Sequence, residues 1–360
     1  LKQSFQQFGL GVIRGTDRSI TATLARGIAG AIEPFYSAAM RLRNAAYDRG
    51  FQPAHDLGRP TISVGNITTG GTGKTPVVKW LADQLRQRGR RPAILLRGYA
   101  AARGQSGDEA QTLRDSLNLP VQENPSRVRG AAAVLQQHPE TDLFILDDGF
   151  QHRRARRDFN LVLISATQPF GHGHVLPRGL LREPLSGLKR ADAFLLTRCS
   201  LVSNSELLAI DQRLGSLQPR VPIFHCDHHL AGVWMPTGEQ LLPGEQLLAV
   251  ESLVGRKVFL AAAIGDPVSF KQQVDSLGCN IVGCRWFDDH HPFNAAEMDS
   301  LAGAATAVEA ELILVTEKDW VKMKALVWKV AVGVLKLEIR FREGDAERLL
   351  GQMREKVRGG

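Results

Sequence analysis

The sequence predicts an α/β fold: a parallel sheet covered by helices on both faces, a second and smaller α/β domain, and an N-terminal amphipathic helical segment. Three observations carry that expectation. Residues 61–76 read as strand, glycine-rich loop and helix start. From Arg59 to about Cys226, apolar runs alternate with helical patterns, as in a parallel sheet buried on both faces. A second alternating set begins at Val258, beyond a stretch containing Pro236, Gly238, Pro243 and Gly244. The expected division is 1–58 for the N-terminal helices, 59–226 for the phosphate-loop domain, 227–250 for a linker or small hairpin, and 251–360 for the smaller domain.

In the N-terminal segment, Ile20, Leu24, Ile28 and Ile32 recur at four-residue spacing, with Arg26 off that face. Pro34 is expected to break or kink the helix, after which Phe35, Tyr36, Ala39, Met40 and Leu42 continue the apolar pattern. Arg26, Glu33 and Pro34 interrupt the run, so it is too short to span a bilayer. Residues 1–60 hold eight Lys/Arg against four Asp/Glu. Two readings stay open: a basic helix lying in a membrane interface, or an ordinary helix packed on the next domain.

Thr61 to Val64 is an apolar β-branched strand that stops at a Gly/Thr-rich stretch ending in Gly73-Lys74-Thr75. Loop glycines leave backbone N–H groups free to face phosphate oxygens, and the following helix adds its positive end. In such a loop Thr69, Gly70, Gly71, Thr72 and Gly73 cradle a nucleotide's phosphates. Lys74 reaches the β- and γ-phosphates, and the Thr75 hydroxyl binds Mg²⁺. The first position of the usual pattern is Thr68 rather than Gly. Further strands are expected at Pro92–Arg97, Leu143–Asp147, Leu161–Ser165, Ala193–Thr197 and Val221–Cys226. Helices are expected at Val77–Arg88, Asp108–Leu117, Arg127–His138 and Ser205–Leu214. The second set runs Val258–Ala262, Val268–Leu277, Ile281–Phe287, Ala295–Ala307 and Leu312–Thr316, then a strand after Trp328 and a terminal helix near Asp345–Val357.

Chemistry concentrates at the carboxyl ends of these strands. Leu143–Asp147 ends in Asp147-Asp148, a pair suited to holding Mg²⁺ beside a phosphate loop, and Gly149-Phe150-Gln151-His152 follows at once. Arg97-Gly98-Tyr99 closes the second strand. Gly107-Asp108-Glu109 opens a helix, where an N-cap role for Asp108 competes with a chemical one. Residues 176–184 form a charged Gly/Pro-shaped loop with Arg182 and Glu183. Asp288-Asp289-His290-His291 follows a strand, and there His290 suits a proton shuttle or substrate contact better than a metal ligand.

The net charge of +8 and pI near 9.5 suit an anionic partner. The basic clusters at 86–91 and 153–157 lack interleaved aromatics, so nucleic acid is not expected as a partner. Cys199, Cys226, Cys279 and Cys284 form no Cys-x-x-Cys pair, which fits a reducing compartment, and the first thirty residues show no signal-peptide pattern.

The stretch Gly65-Asn66-Ile67-Thr68-Thr69-Gly70-Gly71-Thr72-Gly73-Lys74-Thr75-Pro76 resembles the phosphate loop of the tetraacyldisaccharide 4′-kinases, the lipid A 4′-kinase family, whose loop also begins with Thr. Arg97-Gly98-Tyr99, Gly107-Asp108-Glu109, Asp147 to His152, Leu176-Pro177 with Arg182-Glu183, Asp289-His290 and Thr316 to Asp319 are similar to family blocks, in the family's order. The resemblance runs from about residue 20 to 350. Leu96, Ala100, Ala110 and Ala263 depart from the family's usual Ser, Gly, Pro and Gly. These are changes of shape beside motifs rather than losses of charge.

The resemblance implies a kinase using ATP and Mg²⁺ to phosphorylate the 4′-hydroxyl of an acylated disaccharide 1-phosphate lipid in lipid A biosynthesis. It would work peripherally at the cytoplasmic face of the inner membrane. Catalytic roles are implied for Lys74, Asp148 and an Asp108–His290 dyad, although Asp147 or Asp148 could instead be the base. Mg²⁺ would fall to Thr75, Asp147 and Asp148. Substrate contacts are implied for Tyr99, Glu109, Arg127, Gln151, His152, Arg182 and Glu183. The rival reading is a phosphate-loop nucleotide switch or metallochaperone that works by protein binding. Many such proteins carry Lys where this chain has Thr69.

Overall fold

The computed structural model describes residues 9, 11–13, 17–98, 107–236, 247–289 and 291–358, with the side chains of Asp108 and Arg358 outside that set. Tyr99 and His290 also lie outside it. The chain divides into two compact units, and each is described by itself. The first comprises residues 1–105, 117–227 and 340–360; the second comprises 106–116 and 228–339. This division differs from the expected one. The helix at 108–116 groups with the smaller unit, and the C-terminal helix groups with the phosphate-loop unit.

The first unit's sheet is built from β1 (Thr61–Asn66), β2 (Pro92–Leu96), β3 (Val121–Glu123), β4 (Leu143–Asp147), β5 (Phe159–Ser165), β6 (Ala193–Thr197) and the start of β7 (Ile223–Trp234). Their order is β3-β2-β4-β1-β5-β6-β7, all parallel. Every residue of β1, β2, β4 and β6 is buried, as the near-continuous apolar runs require. The order reverses at β1, which lies between β4 and β5, and in such sheets ligands bind beyond the carboxyl ends at that point. Strand β3 had no counterpart in the sequence reading, because three half-buried residues carry too little periodicity.

Helix α1 (Ile20–Asp48) runs through Pro34, so of the expected break or kink the break does not occur. A proline inside a helix removes a hydrogen bond and costs about 3 kcal/mol. Anchors on either side of it hold the helix to the unit. Glu33 accepts from the Val175 N–H at 3.3 Å, from His174 Nδ1 at 3.0 Å and from Arg178 Nη1 at 3.2 Å. The Tyr36 hydroxyl donates to the Arg182 carbonyl at 2.8 Å. Burial opposes ionisation of Glu33, but His174, Arg178 and the Val175 N–H outweigh it and hold its pKa below the usual value. The apolar stripe faces solvent instead, with Ile20 81% and Phe35 77% exposed and Leu24, Ile28, Ile32 and Leu42 also open.

Helices α2 (Lys74–Gln87), α4 (Arg127–Gln137), α5 (Asn204–Leu217) and α9 (Asp345–Arg358) complete the first unit. The second holds α3 (Asp108–Ser116), β8 (Lys257–Ala262), α6 (Pro267–Asp275), β9 (Asn280–Trp286), α7 (Ala295–Ala307), β10 (Leu312–Thr316), α8 (Glu317–Met323) and most of β11 (Val332–Phe341). Its sheet order is β11-β10-β8-β9, again parallel. The stretch expected as a linker begins as the second half of β7, and Val233 forms an antiparallel bridge with Leu248. Asp319 is fully buried in α8, where it accepts from the Ala263 N–H at 3.1 Å and the Thr316 hydroxyl at 2.8 Å. That pairing gives Asp319 a structural part.

Candidate active site

Strand register builds the site from β1 outward. Val64 pairs with Asp147 on β4, and Asn66 pairs with Leu163 on β5, so the loop after Asn66 emerges beside the Asp147-Asp148 end of β4. Gly65 is needed there, because a Cβ would come within 2.7 Å of the Phe150 backbone nitrogen. Both limbs of the phosphate loop are tied down. The Thr69 N–H donates to the Leu180 carbonyl at 2.7 Å, and the Thr197 hydroxyl donates to the Thr72 carbonyl at 3.0 Å. Gly70 and Gly73 take positive φ of 115° and 80°, a region glycine enters without strain. Gly70 and Gly71 form the exposed crest. Gly73 caps α2 without a side chain, so no side-chain oxygen competes for the first-turn N–H groups. These are the features of an anion cradle.

Lys74 opens α2 and lies 3.4 Å from Asn66 Oδ1 and 3.5 Å from Asp148 Oδ1. Arg182 Nη1 reaches the same carboxylate at 2.9 and 2.7 Å. Asp148 takes a positive φ of 51°, costly for a residue with a Cβ and therefore held by its surroundings. Burial works against its charged form, but Lys74 and Arg182 outweigh it and keep the pKa below the ordinary carboxylate range. Asp147 is buried at the end of β4, and Thr75 sits in the first turn of α2. Three hard oxygen donors of this kind fit Mg²⁺, and the uncapped glycine cradle with Lys74 fits a nucleotide's phosphates.

Other expected site residues are drawn together less directly. Gln151 Nε2 donates to the Asn66 carbonyl at 2.9 Å and to Glu183 at 3.0 Å. Glu183 was expected to touch substrate, yet it is fully buried. Its carboxylate accepts from Asn44 at 2.8 Å, from Gln151, and from Arg190 Nη2 at 2.7 and 2.9 Å. It ties α1 to the phosphate-loop unit. Arg127, also expected at the substrate, is 1% exposed and donates to the Asp147 carbonyl at 3.0 Å, bracing the end of β4 from inside. His152 is half-buried. Burial first, then the charges of Arg127, Arg157, Arg97 and Arg43, push its pKa down to about 4, so the imidazole is neutral at pH 7. Glu109 is exposed on α3 in the second unit.

One residue escaped the sequence reading. Arg198 follows β6 with φ 61° and ψ 38°, and its Nη2 lies 4.0 Å from where a Cβ on Gly71 would stand. It shares positive φ with Asp148, and both stand at strand ends beside the phosphate loop. The Thr-Arg pair after an apolar strand was the available signal, but it carries no distinctive spacing.

With that geometry in view, residues 30–357 match the family described as tetraacyldisaccharide-1-P 4′-kinase. The chain belongs to the tetraacyldisaccharide-1-P 4′-kinase family. It is a kinase, and the rival reading as a switch or metallochaperone is set aside. It is 36% identical over 307 residues to the tetraacyldisaccharide 4′-kinase of Anaeromyxobacter dehalogenans (strain 2CP-C), covering 80% of this chain and 79% of that protein. The kinase of Geobacter metallireducens is 34% identical over 333 residues, covering 88% of this chain and 92% of the relative. The crystal structure of the 4′-kinase LpxK from Aquifex aeolicus, in complex with ATP, superposes with a TM-score of 0.70 at 26% identity. It spans 92% of this chain and 99% of its own. The 4′-kinase fold is thus the α/β fold expected, and among the described residues no helix is long and apolar enough to cross a membrane.

Proposed function

We propose that this member of the 4′-kinase family carries out its reaction at the phosphate-loop end of the first unit's sheet. There the γ-phosphoryl group of ATP passes to the 4′-hydroxyl of tetraacyldisaccharide 1-phosphate. The observation that carries the assignment is the convergence of Lys74 and Arg182 on Asp148 beside a glycine cradle with no side-chain cap. Phosphoryl transfer asks little covalent work of a protein, because positioning and charge neutralisation do most of it. Backbone N–H groups of Gly70 to Thr75 hold phosphate oxygens, the Thr69 N–H being spent on the Leu180 carbonyl instead, and Lys74 neutralises charge where the bond to the leaving ADP breaks. Thr75, Asp147 and Asp148 would hold Mg²⁺, which when bound shields the phosphates' negative charge.

The attacking 4′-hydroxyl loses its proton as the new O–P bond forms. Family resemblance supports Asp108, partnered by His290, as the group that takes that proton, with Asp147 or Asp148 as the alternative base. An imidazole beside the carboxylate strengthens a base that is weak near neutral pH. Tyr99, Glu109, His152 and Arg182 are the acceptor contacts that remain from the sequence reading, whereas Glu183, Arg127 and Gln151 act chiefly as supports.

The acceptor is an acylated lipid, and α1 suits a peripheral place on the bilayer. Its polar residues Glu33, Tyr36, Arg43 and Asn44 face the protein, while its apolar stripe faces outward. Each such Ile or Leu forgoes roughly 1.5–3 kcal/mol of burial in water, which a membrane interface restores. The use of ATP as donor supports a place on the leaflet facing the cytoplasm. Labelled γ-phosphate from ATP should appear in the disaccharide lipid only when the acceptor is present. ATP hydrolysis at equal rates with and without acceptor, and no labelled lipid, would overturn this function.

A further inference from the structure

A cavity of about 160 Å³ lies between α1 and the turn at 185–190, lined by Arg41, Ala45, Asp48, Gly187, Lys189 and Arg190 among others. It belongs to none of the catalytic groups above. Arg190 is its built element, with a side chain only 9% exposed. Its Nη2 is spent on Glu183, whereas its buried Nε and Nη1 have no hydrogen-bond partner among the described residues. The guanidinium plane is set by the Phe150 ring, 4.4 Å from Cζ. Gly187 keeps the wall low, since a Cβ there would stand 3.1 Å from Arg190 Nη1 and 2.4 Å from Glu183 Oε2. Three cations line the space against one carboxylate. That carboxylate, Asp48, is already taken by Lys189 and Arg153 at 2.7 Å each, and these partners lower its pKa.

Exposed cationic heads on Arg41 and Lys189, with the fixed charge of the buried Arg190 guanidinium behind them, are phosphate-binding chemistry. Its place on α1 says which phosphate. At 3.6 residues per turn, Arg41, Ala45 and Asp48 fall on the flank between the helix's protein-facing side and its apolar stripe, next to Leu42, which is 72% exposed. With the stripe in the acyl region of a bilayer, that flank lies at headgroup depth. We propose that the Arg41–Lys189–Arg190 pocket holds the phosphate of an anionic bilayer phospholipid and so fixes how the enzyme sits on the membrane. The proposal rests on the membrane reading of α1.

The test compares co-sedimentation with phosphatidylglycerol and phosphatidylcholine vesicles for the full chain and three variants. Arg41→Gln with Lys189→Gln removes two pocket cations. Ala45→Leu fills the cavity and keeps every charge. Arg18→Gln with Arg49→Gln removes two cations of the same N-terminal segment outside the pocket. A cation near an anionic surface is worth roughly a fivefold factor in binding. The first two variants should lower the preference for phosphatidylglycerol about tenfold or more, and the third by clearly less. Ala45→Leu binding like the wild type, or equal losses in the two charge variants, would overturn the pocket in favour of diffuse attraction. A wild type that binds neither vesicle overturns the membrane reading and this proposal together, while acceptor phosphorylation in detergent still tests the kinase assignment. Inorganic phosphate that raises the Tm of the wild type but not of Ala45→Leu, with vesicle binding unaltered, would mean that the site takes free phosphate and sink the lipid assignment. A raised KM for detergent-dispersed acceptor in Ala45→Leu would give the pocket to the acceptor's own phosphate, also against the proposal.

Discussion

Arg182 Nη1 spans both carboxylate oxygens of Asp148, at 2.9 and 2.7 Å, while Lys74 approaches one of them at 3.5 Å. Asp148 is thereby held ionised and aimed despite its burial and positive φ. Lys74→Ala should cut turnover ~10²-fold or more with the fold intact, because it removes the loop's own cation. Arg182→Ala and Asp148→Ala should each slow transfer, and the double variant should lose less than the product of the two losses. Steady-state kinetics with melting curves decide it. Wild-type turnover in Lys74→Ala would mean the nucleotide site lies elsewhere.

Glu183 separates a structural tie from a substrate contact. Glu183→Ala leaves Arg190 buried without its countercharge, and breaking a buried pair in this way costs roughly 3–5 kcal/mol. Urea unfolding should show the loss. Full stability with a raised acceptor KM would return Glu183 to the substrate site.

His152 predicts an acid-side loss of stability. Its folded pKa is about 4 against an ordinary 6.5, so between those values the unfolded chain binds a proton that the folded one refuses. Stability from this group is complete above about pH 6.5 and falls as pH drops towards 4. His152→Gln should flatten the slope of Tm against pH in that window. An unchanged slope would show that the imidazole is not held neutral in the fold.

Because the stripe of α1 faces outward, Leu24→Asp with Ile28→Asp should leave Tm nearly unchanged, as surface substitutions do, yet release the protein from vesicles. A large fall in Tm would instead mark the stripe as packed against protein.

For the proton acceptor, Asp108→Ala and His290→Ala should each slow turnover with little change in ATP affinity. If they act as a dyad, their combined loss should be far smaller than the product. Multiplicative losses would separate them. A fall in Tm confined to Asp108→Ala would assign that residue to helix capping.

The local sequence determined the elements and the loop. Apolar and β-branched runs such as Thr61–Val64 and Leu143–Leu146 specify buried strands by themselves, and Gly70 to Thr75 specifies a phosphate cradle through backbone freedom and a cation at fixed spacing. Only the tertiary structure decided what depends on distant partners. Pro34 argues for a break, yet Glu33 and Tyr36 find acceptors and donors some 140 residues away that hold the helix through it. Arg127, Glu183 and Arg182 look alike in sequence as charged residues near motifs. Burial makes the first two braces and leaves the third on Asp148, because the desolvation of a charge depends on what the rest of the chain packs around it. The stripe of α1 reads the same in sequence whether it is core or membrane face. Its outward direction was set by the polar anchors on its opposite side.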